Sequence, residues 1–156
     1  MPSIHSLLAL LKADYPHLSF QTGSDFHWDH SSQTITYKDA GADPHGPAQL
    51  LHEVAHGLLE HQGYTRDIEL IGKERDAWSY AVTQLAPHYD VVIDNDIITT
   101  TMDSYRDWLH ARSTCPKCQA TGVETAKQYY SCPACRHRWR VNEARICGLK
   151  RYSQLK

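Results

Sequence analysis

The chain has no run of apolar residues near the roughly 20 that crossing a bilayer requires. Its longest candidates, such as Ser6 to Leu11, are single faces of short helices. The start, Met-Pro-Ser-Ile-His, lacks the basic residues and apolar core of a secretory signal. Together these absences predict a cytoplasmic protein with no membrane partner. Cysteine is missing from the first 114 residues, since all five lie at Cys115 or later. Whatever the cysteines do therefore belongs to the tail. Basic residues are also scarce before it: residues 1–111 hold 6 Lys/Arg against 16 Asp/Glu, a balance of −10.

What is present sharpens that boundary. Residues 112–156 hold 10 Lys/Arg and only 2 Asp/Glu, a balance of +8. A jump of this size gives the two parts different electrostatic partners. With 156 residues, 41% hydrophobic and 22% charged, the chain has the make-up of a soluble globular protein. Its length suits one domain over residues 1–111 and a mini-module over 112–156.

The pattern predicts a first helix over 3–13, capped by Ser3, with Leu7, Leu8, Leu10 and Leu11 at helical spacing. Short strands follow at His17–Gln21, Phe26–Trp28 and Thr34–Lys38, the last two forming a hairpin around Asp29-His30-Ser31-Ser32. A loop rich in Gly, Pro and Asp leads to a helix from Pro47 to about Gln62. A further helix runs from Asp67 or Ile71 to Ala86, stopping at Pro87, and another covers about Ile98 to Ala111. The order predicts an α+β fold with a small antiparallel sheet, followed by a cysteine module.

His52-Glu53-Val54-Ala55-His56 lies inside one of these helices. Histidines four apart stack on one helix face and can share an ion. Glu53, one position on, can reach water at that ion without binding the ion itself, which is the physical content of the H-E-x-x-H pattern. Such a zinc site commonly takes a third protein ligand. A histidine at the metzincin position is absent, because Gln62 stands there. A carboxylate from the next helix remains, with Glu69, Glu74 and Asp76 as the candidates. Glu74 fits best: Ala77 and Ala81 near its face let two helices approach closely, with Asp76 as the fallback about 200° round the helix.

Leu51 to Gly57, followed by Glu74-Arg75-Asp76-Ala77-Trp78-Ser79-Tyr80-Ala81 and Leu85-Ala86-Pro87, resembles the ImmA/IrrE-type metallopeptidases over about residues 20–87. Trp78 stands where that family tends to have Asn or Asp. The resemblance implies a zincin-like domain and a gluzincin-like zinc site formed by His52, His56 and a carboxylate of the following helix. The implied chemistry is hydrolysis of peptide bonds in a protein or peptide substrate, with Glu53 as general base toward water at the zinc. Tyr80, His88 and Tyr89 are candidate donors to the oxyanion, and for each of them a packing or surface role is the better reading.

Cys115-Pro116-Lys117-Cys118 and Cys132-Pro133-Ala134-Cys135 are two C-P-x-C knuckles separated by thirteen residues. That spacing predicts a closed, structural zinc site of four cysteines in a ribbon of short strands, giving two zinc ions in all. Cys147 is left over and reads as a small buried residue. Arg136, Arg138, Arg140 and Arg145, with Trp139 between them, suit a nucleic-acid backbone (DNA or RNA) with Trp139 stacked on a base. Docking of these charges onto the acidic part of the same chain is the competing reading. A metallopeptidase helix followed by a ribbon also resembles the SprT-type proteases, linked to DNA-associated substrates. That family takes a third histidine after its motif, and none lies between His61 and His88 here. Two non-proteolytic alternatives complete the set: a nucleic-acid-binding module and a regulatory interaction protein.

Overall fold

The fold comes from a computed structural model that describes residues 1–39, 43–143 and 149–154. Expectations for Arg145 and Cys147 therefore lie outside the described residues. The chain divides into two compact units. One is Met1–Gly63 with Lys73–Thr99, and the other is Tyr64–Gly72 with Thr100–Lys156. The basic tail thus belongs with two stretches that precede residue 112.

In the first unit α1 spans Ile4–Asp14, and Ser3 caps it by accepting from the Ser6 N–H at 3.2 Å. Three strands follow, β1 (Ser19–Thr22), β2 (His27–Asp29) and β3 (Thr34–Tyr37). β2 and β3 form the expected hairpin. β1, however, pairs with β3 in parallel, in the order β1-β3-β2, so the sheet is mixed and not antiparallel. The reason is topological: after β1 the chain crosses to the far edge of β3, and two reversals leave β1 and β3 pointing the same way. Ile35 in the middle strand is fully buried.

α2 spans Gly46–Leu58, with Pro47 in its first turn. It ends before the expected Gln62. Glu60 adopts the left-handed region at φ 56°, the Glu60 N–H bonds to the Gly57 carbonyl, and the His61 N–H reaches back to His56 O at 3.0 Å. That is a Schellman turn made without glycine at its left-handed position. Leu50, Leu51, Val54 and Ala55 bury one face of α2 completely. At the edge of that face Trp28 packs so closely that a Cβ at Gly57 would lie 3.1 Å from its ring.

α3 spans Asp67–Tyr80 and continues into a π-helical turn at Ala81–Leu85 and a final turn, Ala86–His88. It does not stop at Pro87, which lies in that last turn, directly after the π-helical one; the proline has no N–H to give the preceding turn, and the helix ends one residue later at His88. Ala77 and Ala81 are fully buried, as the expectation of close approach to α2 required. α4 spans Asn95–Ser113 and is longer at both ends than expected. Among the described residues no helix is long and apolar enough to cross a membrane.

The second unit is built on a sheet ordered β4-β5-β6-β7, all antiparallel: Val123–Ala126, Tyr129–Ser131, Arg138–Val141 and Arg151–Ser153. Its core is Cys115, Tyr130, Cys132, Trp139 and Val141. Gly122 is required there, because a Cβ would meet the Trp139 ring at 2.4 Å. Beneath lies a buried polar knot. Arg112 gives Nε and Nη2 to the two oxygens of Asp67 at 2.7 and 3.3 Å. Tyr130 donates its hydroxyl to Asp67 Oδ2 at 2.5 Å, and the Trp139 indole N–H donates to Arg112 O at 2.9 Å. Arg112 and Asp67 are each 1% exposed, so the pair is held almost wholly out of water.

Candidate metal centres

α2 presents His52 and His56 on one face, and α3 brings Glu74 to meet them. All three are buried, and their ligand atoms lie within 4.8 Å of one another. His52 Nε2 is 3.1 Å from Glu74 Oε2, and His56 Nε2 is 3.3 Å from Glu74 Oε1. Ligands at about 2.0–2.1 Å on a tetrahedral zinc stand about 3.3 Å apart, so these separations fit such an ion. A second observation agrees. His52 Nε2 and Glu74 Oε2 are buried with no hydrogen-bond partner, despite their approach. The Trp78 and Trp108 indole nitrogens are buried without a partner as well, so what points to an ion is that these two atoms are an imidazole nitrogen and a carboxylate oxygen facing each other.

The electrostatics run the same way. Burial disfavours charge on His52, yet its contacts with Glu53 and Glu74 outweigh that and push its pKa up to about 9. Burial likewise opposes charge on Glu74, but His52 and His56 hold it well below the usual carboxylate range. The pocket is one that wants positive charge between its carboxylate and its imidazoles. Of the other acids considered, Asp76 is exposed, paired with Arg75 at 3.0 Å, and not part of the group that His52 and His56 form with Glu74. Glu69 belongs to the second unit, where it accepts from the Thr65 hydroxyl at 2.8 Å.

Glu53 sits beside the group, half-buried, with Oε1 3.4 Å from His52 Nδ1. Trp78 lies flat on the His52 ring at 4.1 Å and 11°, fixing that imidazole by stacking. Of the candidate oxyanion donors, Tyr89 is a buried packing residue whose hydroxyl donates to Asp14 at 2.6 Å. His88 also faces Asp14, at 3.7 Å.

Sequence reasoning missed His61. Counted along an ideal helix it falls on the wrong turn, but the Schellman turn at Glu60 folds it back over the site. Its Nδ1 lies 2.8 Å from His56 Nδ1, and its backbone carbonyl accepts from the Trp28 indole N–H at 2.7 Å. Burial, followed by the charges of His56 and Lys73, lowers the His61 pKa to about 4. A neutral His61 can therefore accept the Nδ1 proton of His56 and leave His56 Nε2 free for a metal. Outer partners of this kind typically change metal affinity about 10–100-fold. We expect His61→Ala to weaken zinc at this centre by that factor, and His61→Asn, whose amide oxygen replaces the acceptor, to restore most of it. Competition with a chromophoric chelator reads both; an unchanged affinity in His61→Ala would remove the role.

In the second unit the four cysteines Cys115, Cys118, Cys132 and Cys135 form a second metal-type cluster among the described residues. The first cysteine sulfur of each knuckle accepts a backbone N–H, from Lys117 two residues on at 3.4 Å or from Cys135 three residues on at 3.5 Å. The residue after the second cysteine, Gln119 or Arg136, is left-handed and returns its N–H to the first cysteine's carbonyl. Sγ atoms of opposite knuckles are 3.7 Å (Cys115–Cys135) and 3.5 Å (Cys118–Cys132) apart. That is near the roughly 3.8 Å edge of a tetrahedral zinc–thiolate site, and far beyond the ~2.05 Å of a disulfide.

The expected aromatic platform is corrected. Trp139 is fully buried against Tyr130 and cannot stack on a base, whereas Arg138 and Arg136 are exposed and Arg140 half-exposed. The signal was available in Arg138-Trp139-Arg140-Val141, whose alternation puts Trp139 and Val141 on one face. No family model, curated protein or solved structure matches the chain.

Proposed function

We propose that the first unit is a zincin-like peptidase, of the kind its likeness to ImmA/IrrE-type enzymes implies, and that both metal centres take zinc. The observation that carries this reading is the convergence of His52, His56 and Glu74 in a buried group, with Glu53 at its edge. The H-E-x-x-H pattern supports Glu53 as the base, since it places a carboxylate directly after the first histidine of the pair. His52 and His56 Nε2 and a Glu74 carboxylate oxygen would hold the ion. When bound, zinc supplies acidity to water and polarises a peptide carbonyl. Glu53 takes the proton from water at its carboxylate and returns it to the leaving amine. Trp78 and His61 keep the two imidazoles oriented throughout. The four cysteines would hold a second, structural zinc that the ribbon needs to fold.

Zinc content and activity test this together. The wild-type chain is expected to carry two zinc ions and to hydrolyse an unfolded substrate such as casein, with activity lost on chelation. Glu74→Ala is expected to carry one ion and no activity, while Asp76→Ala keeps both. The reverse result would transfer the ligand role to Asp76. A fully zinc-loaded chain that cleaves neither casein nor a random peptide library would leave the metal site without a peptidase role.

A further inference from the structure

The outward face of the four-stranded sheet has no part in either metal centre. Register places Tyr129 opposite Arg140, and Arg140 opposite Tyr152, so the three side chains share that face in one row. Ser131 and Arg138 form the adjacent row. Tyr129 is 38% exposed and Tyr152 is 42% exposed, so both rings are open to solvent on that face. The Arg140 guanidinium lies over the Tyr152 ring at 4.5 Å, which holds both groups in place. An open depression of about 530 Å³ adjoins the rows, lined by Thr125, Ala126, Tyr129, Ser131, Arg138 and Gln154 among others, with no carboxylate in its lining.

We propose that this face binds a single-stranded polynucleotide, with bases stacked on Tyr129 and Tyr152 and phosphates on Arg138 and Arg140. Two features choose this occupant. The tail carries a balance of +8, which suits a polyanion. Flat rings alternating with guanidinium groups repeat across the strands, as stacked bases and phosphates alternate along an extended strand. A duplex keeps its bases stacked inside and offers these rings nothing, and a peptide would not require the cationic row. The inference does not depend on the peptidase reading, since none of its residues belongs to that centre.

The test uses the full-length, zinc-loaded chain and fluorescence anisotropy of labelled oligothymidylate, oligouridylate and a duplex of equal length, at two salt concentrations. We expect one or both single strands to bind in preference to the duplex, and more weakly as salt rises. Tyr129→Ala and Tyr152→Ala are each expected to weaken binding about tenfold, while Tyr129→Phe and Tyr152→Phe retain it. Arg138→Ala is expected to reduce the slope of log affinity against log salt by about one phosphate contact. Lys12→Ala, a charge change in the acidic part of the chain, should alter nothing. Zinc content measured on each variant confirms that the ribbon remains folded. No binding at low salt overturns the proposal, as does binding that prefers the duplex or is equal in the Ala and Phe variants.

Discussion

Glu53→Gln is expected to retain two zinc ions and to lose hydrolysis by about 10²- to 10⁴-fold, the usual contribution of a positioned acid–base group. The amide has the size and shape of the carboxylate but cannot accept a proton. Glu53 is not among the convergent ligand atoms; its nearest ionic contact is His52 Nδ1 at 3.4 Å. Zinc affinity should therefore change little, and the loss should fall on kcat with KM nearly constant. Two results would count against this. Full activity in the variant would remove the base, and with it the peptidase reading. Loss of one zinc ion would make Glu53 a ligand and leave the site without a base.

The largest effect on stability belongs to Asp67. Its carboxylate takes two bonds from Arg112 and one from the Tyr130 hydroxyl, all out of water. Removing one partner of a buried ion pair strands the other charge, at a typical cost of about 3–5 kcal/mol. Asp67→Ala should therefore move the urea midpoint of the second unit down by roughly 2 M, taking an m value near 2 kcal/mol per M. Trp139 is a convenient reporter, because its indole N–H bonds to the backbone of Arg112 and its ring forms the ribbon core. Release of zinc from the four cysteines, followed with a thiol-competent chelator, should share that midpoint. A shift below about 1 kcal/mol would mean that Arg112 is held by its other contacts, the Asn142 carbonyl and the Trp108 ring.

The parts legible in the sequence are those in which one local pattern fixes geometry. Four-residue spacing put His52 and His56 on one face, and C-P-x-C knuckles declared the cysteine cluster. Small residues at Ala77 and Ala81 pointed to Glu74 over Asp76, because close helix approach is written in side-chain volume. The parts not legible depend on distant partners or on backbone choices that side-chain identity does not announce. Parallel pairing of β1 with β3 is decided by which edge of β3 the chain crosses to, and no residue in β1 encodes it. His61 reaches the site through a left-handed Glu60, where glycine would be the expected signal. The Asp67–Arg112 pair spans 45 residues and looks, in sequence, like two ordinary surface charges.

The π-helical turn at Ala81–Leu85 has a bearing on how the gene can vary. Its closing bond runs from the Ala86 N–H to the Ala81 carbonyl, so this turn holds one residue more than an α-helical turn would. A single-residue deletion among Val82, Thr83 and Gln84 would let the turn close as an ordinary α-helical one, with Glu74 before it and Ala86 and Tyr89 after it kept in their places and the Tyr89 hydroxyl still on Asp14. Val82, Thr83 and Gln84 are themselves exposed. In this window, then, the number of residues can change by one, while Ala81 and Leu85, both buried, are bound in kind.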